Sequence, residues 1–302
     1  MIYEYALDPK VLLLWASSDR DHAEFYREYG IGTPRIFSSF PKKKASKLRS
    51  YLLRFSPPDS QSLASRRYTE MVVKLTESIV NRNVKDCQEN DWAGMVVVEN
   101  QERPFDIILS SEAIELNNNI TSRSMYLPDS IWNHPREYSI HRTNSDFLLK
   151  ISNFLRLCNS RVIIIDPYGW RMNSIKFIRF MLKNIMTDRV NPNSPEITIF
   201  YKEKVGESAR ASYVKNSILE DLPENSVSLQ IKVFELKETS ESDVFHNRCI
   251  LTEHGGISTG HGINLPDEKS HTDDMFLLGP ELYQKKWQQF SDEICFKVVS
   301  ES

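Results

Sequence analysis

No stretch of the 302 residues is long and apolar enough to cross a membrane as a helix. The longest apolar runs, Val11 to Ala16 and Val162 to Ile165, fall far short of the roughly 18 to 20 residues a span needs. The opening Met1-Ile2-Tyr3-Glu4-Tyr5 has no basic n-region, which argues against a secretory signal. The expectation is a cytoplasmic protein. Cysteine is scarce too. Cys87, Cys158, Cys249 and Cys295 lie far apart with no CxxC pair, which excludes a disulfide framework and leaves reduced thiols. No glycine-rich nucleotide loop precedes a helix, and no internal repeat is present.

Net charge is only −3, but it is unevenly placed. Between Ile31 and Leu75 ten basic residues face two acidic ones, Asp59 and Glu70, so that window carries +8 and the remainder −11. The basic residues are Arg35, Lys42, Lys43, Lys44, Lys47, Arg49, Arg54, Arg66, Arg67 and Lys74. A local basic cluster in an acidic chain is the footprint of a polyanion-facing patch, with nucleic acid the first candidate partner. Two other readings stay open: a solvated helix face, and anionic lipid, which also suits a basic amphipathic helix.

The length suits two domains, placed at 1–143 and 144–302. The first half reads as α+β. Leu48, Tyr51, Leu52 and Phe55 recur at helical spacing between Lys42 and Phe55, and Asp59 or Ser60 can cap a second helix running toward Val80. Gly94 to Val98 and Phe105 to Leu109 read as paired strands. Periodicity fails from Ser111 to Arg142, which reads as the junction.

The second half alternates. Asn144 or Ser145 caps a helix, and the strand Arg161 to Ile165 ends at Asp166-Pro167-Tyr168-Gly169. Helices are expected at about 174–186 and 208–222, and strands at 196–201, 228–236 and 244–251. That order implies a mixed α/β sheet with helices on its faces and a ligand near the strand ends, which singles out Asp166 and the turn after Leu251.

The stretch richest in chemistry is Phe245-His246-Asn247-Arg248, continuing to Glu253-His254-Gly255-Gly256 and Ser258-Thr259-Gly260-His261-Gly262-Ile263-Asn264. If Val244–Leu251 is a strand, His246 and Arg248 leave the same face. An imidazole can attack phosphorus or protonate a leaving oxygen, and a guanidinium can hold two phosphoryl oxygens at once. The bland reading is a structural pair, with Arg248 held by Glu253 or Asp166. Four histidines, His246, His254, His261 and His271, fall close together, but their spacing fits no zinc template.

With four residues between Arg248 and Glu253, the run resembles the HxKx4D signature of the phospholipase D superfamily. Arginine stands for lysine, glutamate for aspartate, and of the downstream GSxN only Gly260 fits, with His261 and Ile263 in the serine and asparagine places. The resemblance covers about Asn144 to Ser302. It is closer still to the phospholipase D-like domain at the C-terminus of MIT-domain proteins, which shows HxR, a glycine turn and then IxxGxGL. The family implies a histidine nucleophile, a phosphate-binding cation and two motif copies per site, with no cofactor or metal.

For this chain it implies His246, Arg248 and Glu253 as catalytic, and Asp166, Ser258, Gly260, His261 and Asn264 as substrate-binding. Lys42, Lys43, Lys44, Lys47, Arg49, Arg54, Arg66 and Arg67 would hold the backbone of a nucleic acid. One motif per chain requires a homodimer for a nuclease or other phosphodiesterase, with antiviral defence or a mobile element as a context by analogy. Protein partners in a multi-component system fit that context. The alternative is a binding module without catalysis, taking nucleic acid, anionic lipid or a protein partner, as the MIT-type relatives imply.

Overall fold

The computed structural model describes residues 1–85, 91–185, 189–220, 222, 229–239, 244–246, 248–292 and 294–302. Cys87, Asn247, the expected helix end at Met186 and the expected strand start at Ser228 lie outside the described residues. The chain divides into two compact units, Ile2–Pro135 and Arg136–Ser302. Both are α/β, the class expected for the chain.

The first unit is built on a sheet of order β3-β2-β1-β4-β5. The strands are β1 (Tyr3–Leu7), β2 (Arg35–Ser38), β3 (Ile79–Val80), β4 (Ile107–Ser110) and β5 (Asn119–Thr121). All four pairings are parallel. The arrangement goes beyond the expected α+β, because parallel neighbours need crossover connections, and all but the one from β4 to β5 are helical. These are supplied by α1 (Pro9–Ala16), α2 (Asp19–Glu28), α3 (Ala45–Leu52), α4 (Leu63–Glu77) and α5 (Trp92–Glu102).

The central strands are buried on both faces, as parallel strands between helices are. Tyr5 and Leu7 join Leu12, Phe37, Met71 and Val72 on one side. Ala6 and Ile108 join Phe40, Trp92, Val96 and Phe105 on the other. The expected strand Gly94–Val98 lies within α5. Asp91 caps that helix by accepting the Gly94 N–H at 2.6 Å, and Trp92, Val96 and Glu99 are buried at a helical repeat. The valine run Val96-Val97-Val98 carried a strand signal that the cap and the buried face override. At α4 the cap is Ser62, whose Oγ accepts the Ser65 N–H, while Asp59 closes the preceding turn on the Gln61 N–H.

The second unit carries an eight-stranded sheet of order β13-β9-β8-β7-β10-β11-β12-β6. Its strands are β6 (Glu137–Arg142), β7 (Arg161–Ile165), β8 (Glu196–Lys202), β9 (Gln230–Lys237), β10 (Cys249–Thr252), β11 (Gly255–Thr259), β12 (Glu268–Leu277) and β13 (Lys297–Glu301). β7, β8 and β9 are mutually parallel, and the remaining pairings are antiparallel. The helices are α6 (Asn144–Leu157), α7 (Met172–Ile185), α8 (Ala211–Leu219) and α9 (Pro280–Trp287). β6 falls inside the segment that read as a junction.

The expected strand 244–251 is shortened to β10. Phe245 is buried against Phe290 and Phe296, with ring centroids 5.8 and 5.2 Å away, and donates its N–H to Glu238 Oε1 at 2.6 Å. The His246 N–H turns back to the Val244 carbonyl at 3.0 Å. Backbone groups spent in this way cannot join a ladder.

Candidate functional site

Strand register brings the motif together at one edge of the second sheet. β10 runs antiparallel to β7 with Cys249 opposite Ile165, and β11 runs antiparallel to β10 with Ser258 opposite Cys249. Asp166 therefore leaves the end of β7 beside Arg248, which enters β10, and Gly260, which leaves β11. The Arg248 carbonyl accepts the Thr259 N–H at 3.1 Å and the Ser258 hydroxyl at 3.2 Å.

Asp166 is 1% exposed. Its Oδ1 accepts the Tyr168 N–H and its Oδ2 the Ile263 N–H, each at 2.8 Å. Gly262 makes that second bond attainable. Its φ is +70°, and a Cβ there would overlap Asp166 Oδ2 and press on the Arg248 side chain. Burial pushes the Asp166 carboxyl above its usual range, opposed by those two N–H groups and by the charges of Arg248 and Arg142. Asp166, expected to contact substrate, clamps the glycine turn in this structure by accepting one backbone N–H on each of its oxygens.

Arg248 is partly exposed. Its Nη1 donates to the Gly260 carbonyl at 2.7 Å, its guanidinium carbon lies 5.8 Å from the centre of the Tyr168 ring, and its buried Nε meets no acceptor among the described residues. Arg142, at the end of β6, comes to the same turn and donates from Nη2 to the Asn264 carbonyl at 2.8 Å, its buried Nε likewise without an acceptor among the described residues. Two guanidinium groups thus flank the 260–264 turn. Sequence reading missed Arg142, since nothing local in Ser139-Ile140-His141-Arg142 points to a residue 106 positions downstream.

The other predicted residues have distinct placements. His246 is exposed. Glu238 is held below the usual carboxylate range first by a bond from Lys202 at 2.6 Å, then by the Phe245 N–H, with His246 adding a smaller electrostatic contribution. His261 is anchored by Asp273, which accepts its backbone N–H at 2.9 Å and pairs with its Nδ1 at 3.2 Å, while the ring stays largely exposed. Asp273 also accepts the Gly260 N–H at 3.1 Å. Ser258 braces Arg248, and Asn264 offers its carbonyl to Arg142.

Glu253 is not part of this edge. It lies past the opposite end of β10, where its carboxylate accepts the N–H groups of Asn159, Ser160 and Arg161. The catalytic place expected for it is corrected to that of a fastener for the 158–161 turn. Its neighbour His254 is buried, with Nε2 3.0 Å from the Leu157 carbonyl. No group of three or more His, Cys, Asp or Glu side chains able to hold a metal ion occurs among the described residues. Burial pushes the Cys249 thiol up to about 12, so it carries no thiolate at neutral pH.

The basic window is partly consumed by the fold. Arg35 is buried, pairing with Glu28 at 2.8 Å, donating to the Trp132 carbonyl at 2.6 Å and stacking on the Trp132 ring. Arg67 pairs with Asp19 at 2.5 Å and Lys74 with Glu77 at 3.2 Å. Lys43, Lys44, Lys47, Arg49, Arg54 and Arg66 remain exposed on and around α3 and the start of α4, and Lys42 is half-buried over the Tyr51 ring.

No family model matches the sequence, and no curated protein does. Among solved structures the chain is similar to Nuc from Salmonella typhimurium, a phospholipase D family member, at 10% identity and a TM-score of 0.35, over 55% of this chain and 99% of that one. It is also similar to TrmBL2, an archaeal chromatin protein described with a novel mode of DNA binding, at 10% identity and a TM-score of 0.30, over 56% of each chain. Among the described residues no helix is long and apolar enough to cross a membrane.

Proposed function

We propose that the second unit binds a phosphodiester of a nucleic acid at the β7/β10 edge and cleaves it when two copies of the chain meet there. The observation that carries this reading is the half-engaged guanidinium of Arg248 beside a glycine turn, with the exposed imidazole of His246 two residues before it in the sequence. Arg248, with Arg142 behind it, supplies the charge for the non-bridging oxygens.

His246 then attacks phosphorus, an N–P bond forms, and the P–O bond to the leaving oxygen breaks. The same histidine from a second copy gives that oxygen its proton. Water cleaves the N–P bond, losing its proton to the second imidazole, which restores both rings. The exposed lysines and arginines of α3 and α4 add a sequence-independent hold on the backbone. No metal or cofactor takes part in this scheme. A defence or mobile-element setting, with partner proteins, is consistent with such an enzyme.

A second reading has its own support. Glu253, the carboxylate of the motif, is taken up by backbone N–H groups at the far end of β10, and each oxygen of Asp166 already accepts a backbone N–H, which suits a site that binds phosphate without turnover. One experiment separates the two. Metal-free hydrolysis of DNA and RNA is measured alongside binding as salt is varied, for wild type, His246→Ala and Arg248→Gln. The catalytic reading expects His246→Ala to lose about a hundredfold or more in rate while retaining binding. Equal hydrolysis by the two proteins removes it, and binding that Arg248→Gln leaves unchanged removes both readings.

A further inference from the structure

In the first unit the chain turns in opposite directions from β1: through β2 to β3 on one side, and to β4 and β5 on the other. The gap between the carboxyl ends of β1 and β4 is therefore a topological switch point, where the crossovers leave on opposite faces and open a crevice. A cavity of about 550 Å³ lies there, within the size range of small-ligand sites. Its floor is tied by Asp8, directly after β1. Asp8 accepts the Lys10 N–H at 2.9 Å, and the N–H and hydroxyl of Ser111, directly after β4, at 3.0 and 2.5 Å. The switch point is thus braced and needs no ligand to keep its two strand ends in place.

Three kinds of group line the cavity. Tyr51, Phe55 and Trp92 are aromatic, Lys10 and Arg54 are cationic, and Glu112 and Asp91 are acidic. Tyr51 and Phe55 meet edge to face, with centroids 5.3 Å apart. Lys10 and Arg54 are exposed and form no ion pair among the described residues, and the Glu112 carboxylate accepts no hydrogen bond among them. Tyr51 and Phe55 belong to one apolar cluster of the unit and Trp92 to the other, so the aromatic wall is fixed by the core, whereas the charges of Lys10, Arg54 and Glu112 stand on it without a structural partner among the described residues.

From this juxtaposition we infer that the switch-point cavity of the first unit is a binding site for a mononucleotide. Its base lies against the aromatic wall, its 5′-phosphate is held by Lys10 and Arg54, and its ribose hydroxyls donate to Glu112. The phosphate is assigned to side chains and not to the start of α1, because Pro9 has no N–H to offer there and the next two N–H groups are already taken by Asp8. This site is separate from the phosphodiester site of the second unit and does not depend on it.

The test is calorimetric titration of the full chain with AMP, GMP, CMP and UMP, with adenosine and inorganic phosphate as fragments. At least one mononucleotide is expected to bind more tightly than either fragment. Arg54→Gln is expected to weaken it about ten- to a hundredfold, the loss of a charge-assisted contact. It should leave adenosine unaffected. Ala93→Trp, at an exposed position on the cavity lining, is expected to abolish both, with circular dichroism confirming the fold. Arg248→Gln should change neither. The inference is overturned if no mononucleotide binds, if binding survives Ala93→Trp in a folded protein, or if it is lost in Arg248→Gln and retained in Arg54→Gln.

Discussion

Arg82 grips Glu4 through both carboxylate oxygens, at 2.9 and 2.7 Å, and neither side chain is reached by solvent. The same guanidinium bonds Glu99 at 2.9 Å and the Arg103 carbonyl at 2.7 Å, and lies 3.9 Å from the centre of the Phe105 ring. Burial works against its charge, but the two glutamates outweigh it and hold its pKa above the ordinary value. Glu4 is on the central strand and Glu99 on α5, so one arginine pins a helix to the middle of the sheet.

Removing one member leaves a buried charge uncompensated, which costs about 3–5 kcal/mol. Arg82→Met is therefore expected to shift the urea midpoint of the first unit strongly. Arg82→Met combined with Glu4→Leu and Glu99→Leu should recover much of the loss, since the desolvation penalty leaves with the charges. A single variant as stable as wild type would show that the triad is not buried in solution.

The two ends of β10 should respond differently. Gly262→Ala forces a side chain onto Asp166 and Arg248 at a positive φ, and is expected to cost about 1–3 kcal/mol and to weaken nucleic-acid binding. Glu253→Ala frees three N–H groups of the 158–161 turn, with a stability loss of about 1–3 kcal/mol and affinity unchanged. Urea unfolding and fluorescence anisotropy on the same samples decide this. Affinity that falls with Glu253→Ala and holds with Gly262→Ala would reverse the assignment of the two ends.

Stability should depend on pH through His134. Its ring stacks on Tyr3 with centroids 3.7 Å apart, and its Nε2 lies 2.9 Å from the Tyr5 hydroxyl. Burial, then the Arg35 charge, push its pKa down to about 3. The unfolded chain takes up this proton below about 6.5 and the folded one does not. The contribution is complete above that value and is lost as pH falls from 6.5 toward 3. The slope is at most about 1.4 kcal/mol per pH unit, less because the ring is partly solvated. Urea midpoints measured between pH 4 and 7 should rise with pH in wild type and flatten in His134→Phe. Equal slopes would assign the effect to other groups.

The second unit was legible in the sequence where runs such as Val162-Ile163-Ile164-Ile165 and Ile197-Thr198-Ile199-Phe200 meet amphipathic helices of ordinary length. The first unit was less so. β2 is four residues and β3 two, too short for a period to register, and Glu4 interrupts the apolar pattern of β1 because its partner lies 78 positions on. Spacing misled at Glu253: five residues beyond Arg248 is close along the chain, yet at about 3.3 Å per residue an extended segment carries it roughly 16 Å away. Arg35 counted toward the basic window, but its charge is spent on Glu28 and Trp132. Such long-range partners leave no local pattern.

The buried triad also has a consequence for the order in which the chain is made. A nascent chain ending before residue 82 already carries β1, β2 and β3, with much of the apolar face that covers them. It also carries a carboxylate, that of Glu4, on the open edge strand β1 with no countercharge. Domains fold during synthesis from the N-terminus at about 5–20 residues per second, so Glu4 waits several seconds for Arg82 and longer for Glu99. Until then the Glu4 carboxylate stays open to water along that edge. The triad is complete only once α5 has been made, and β1 becomes an inner strand only when β4 joins it, so this half of the molecule closes around Glu4 late in its synthesis.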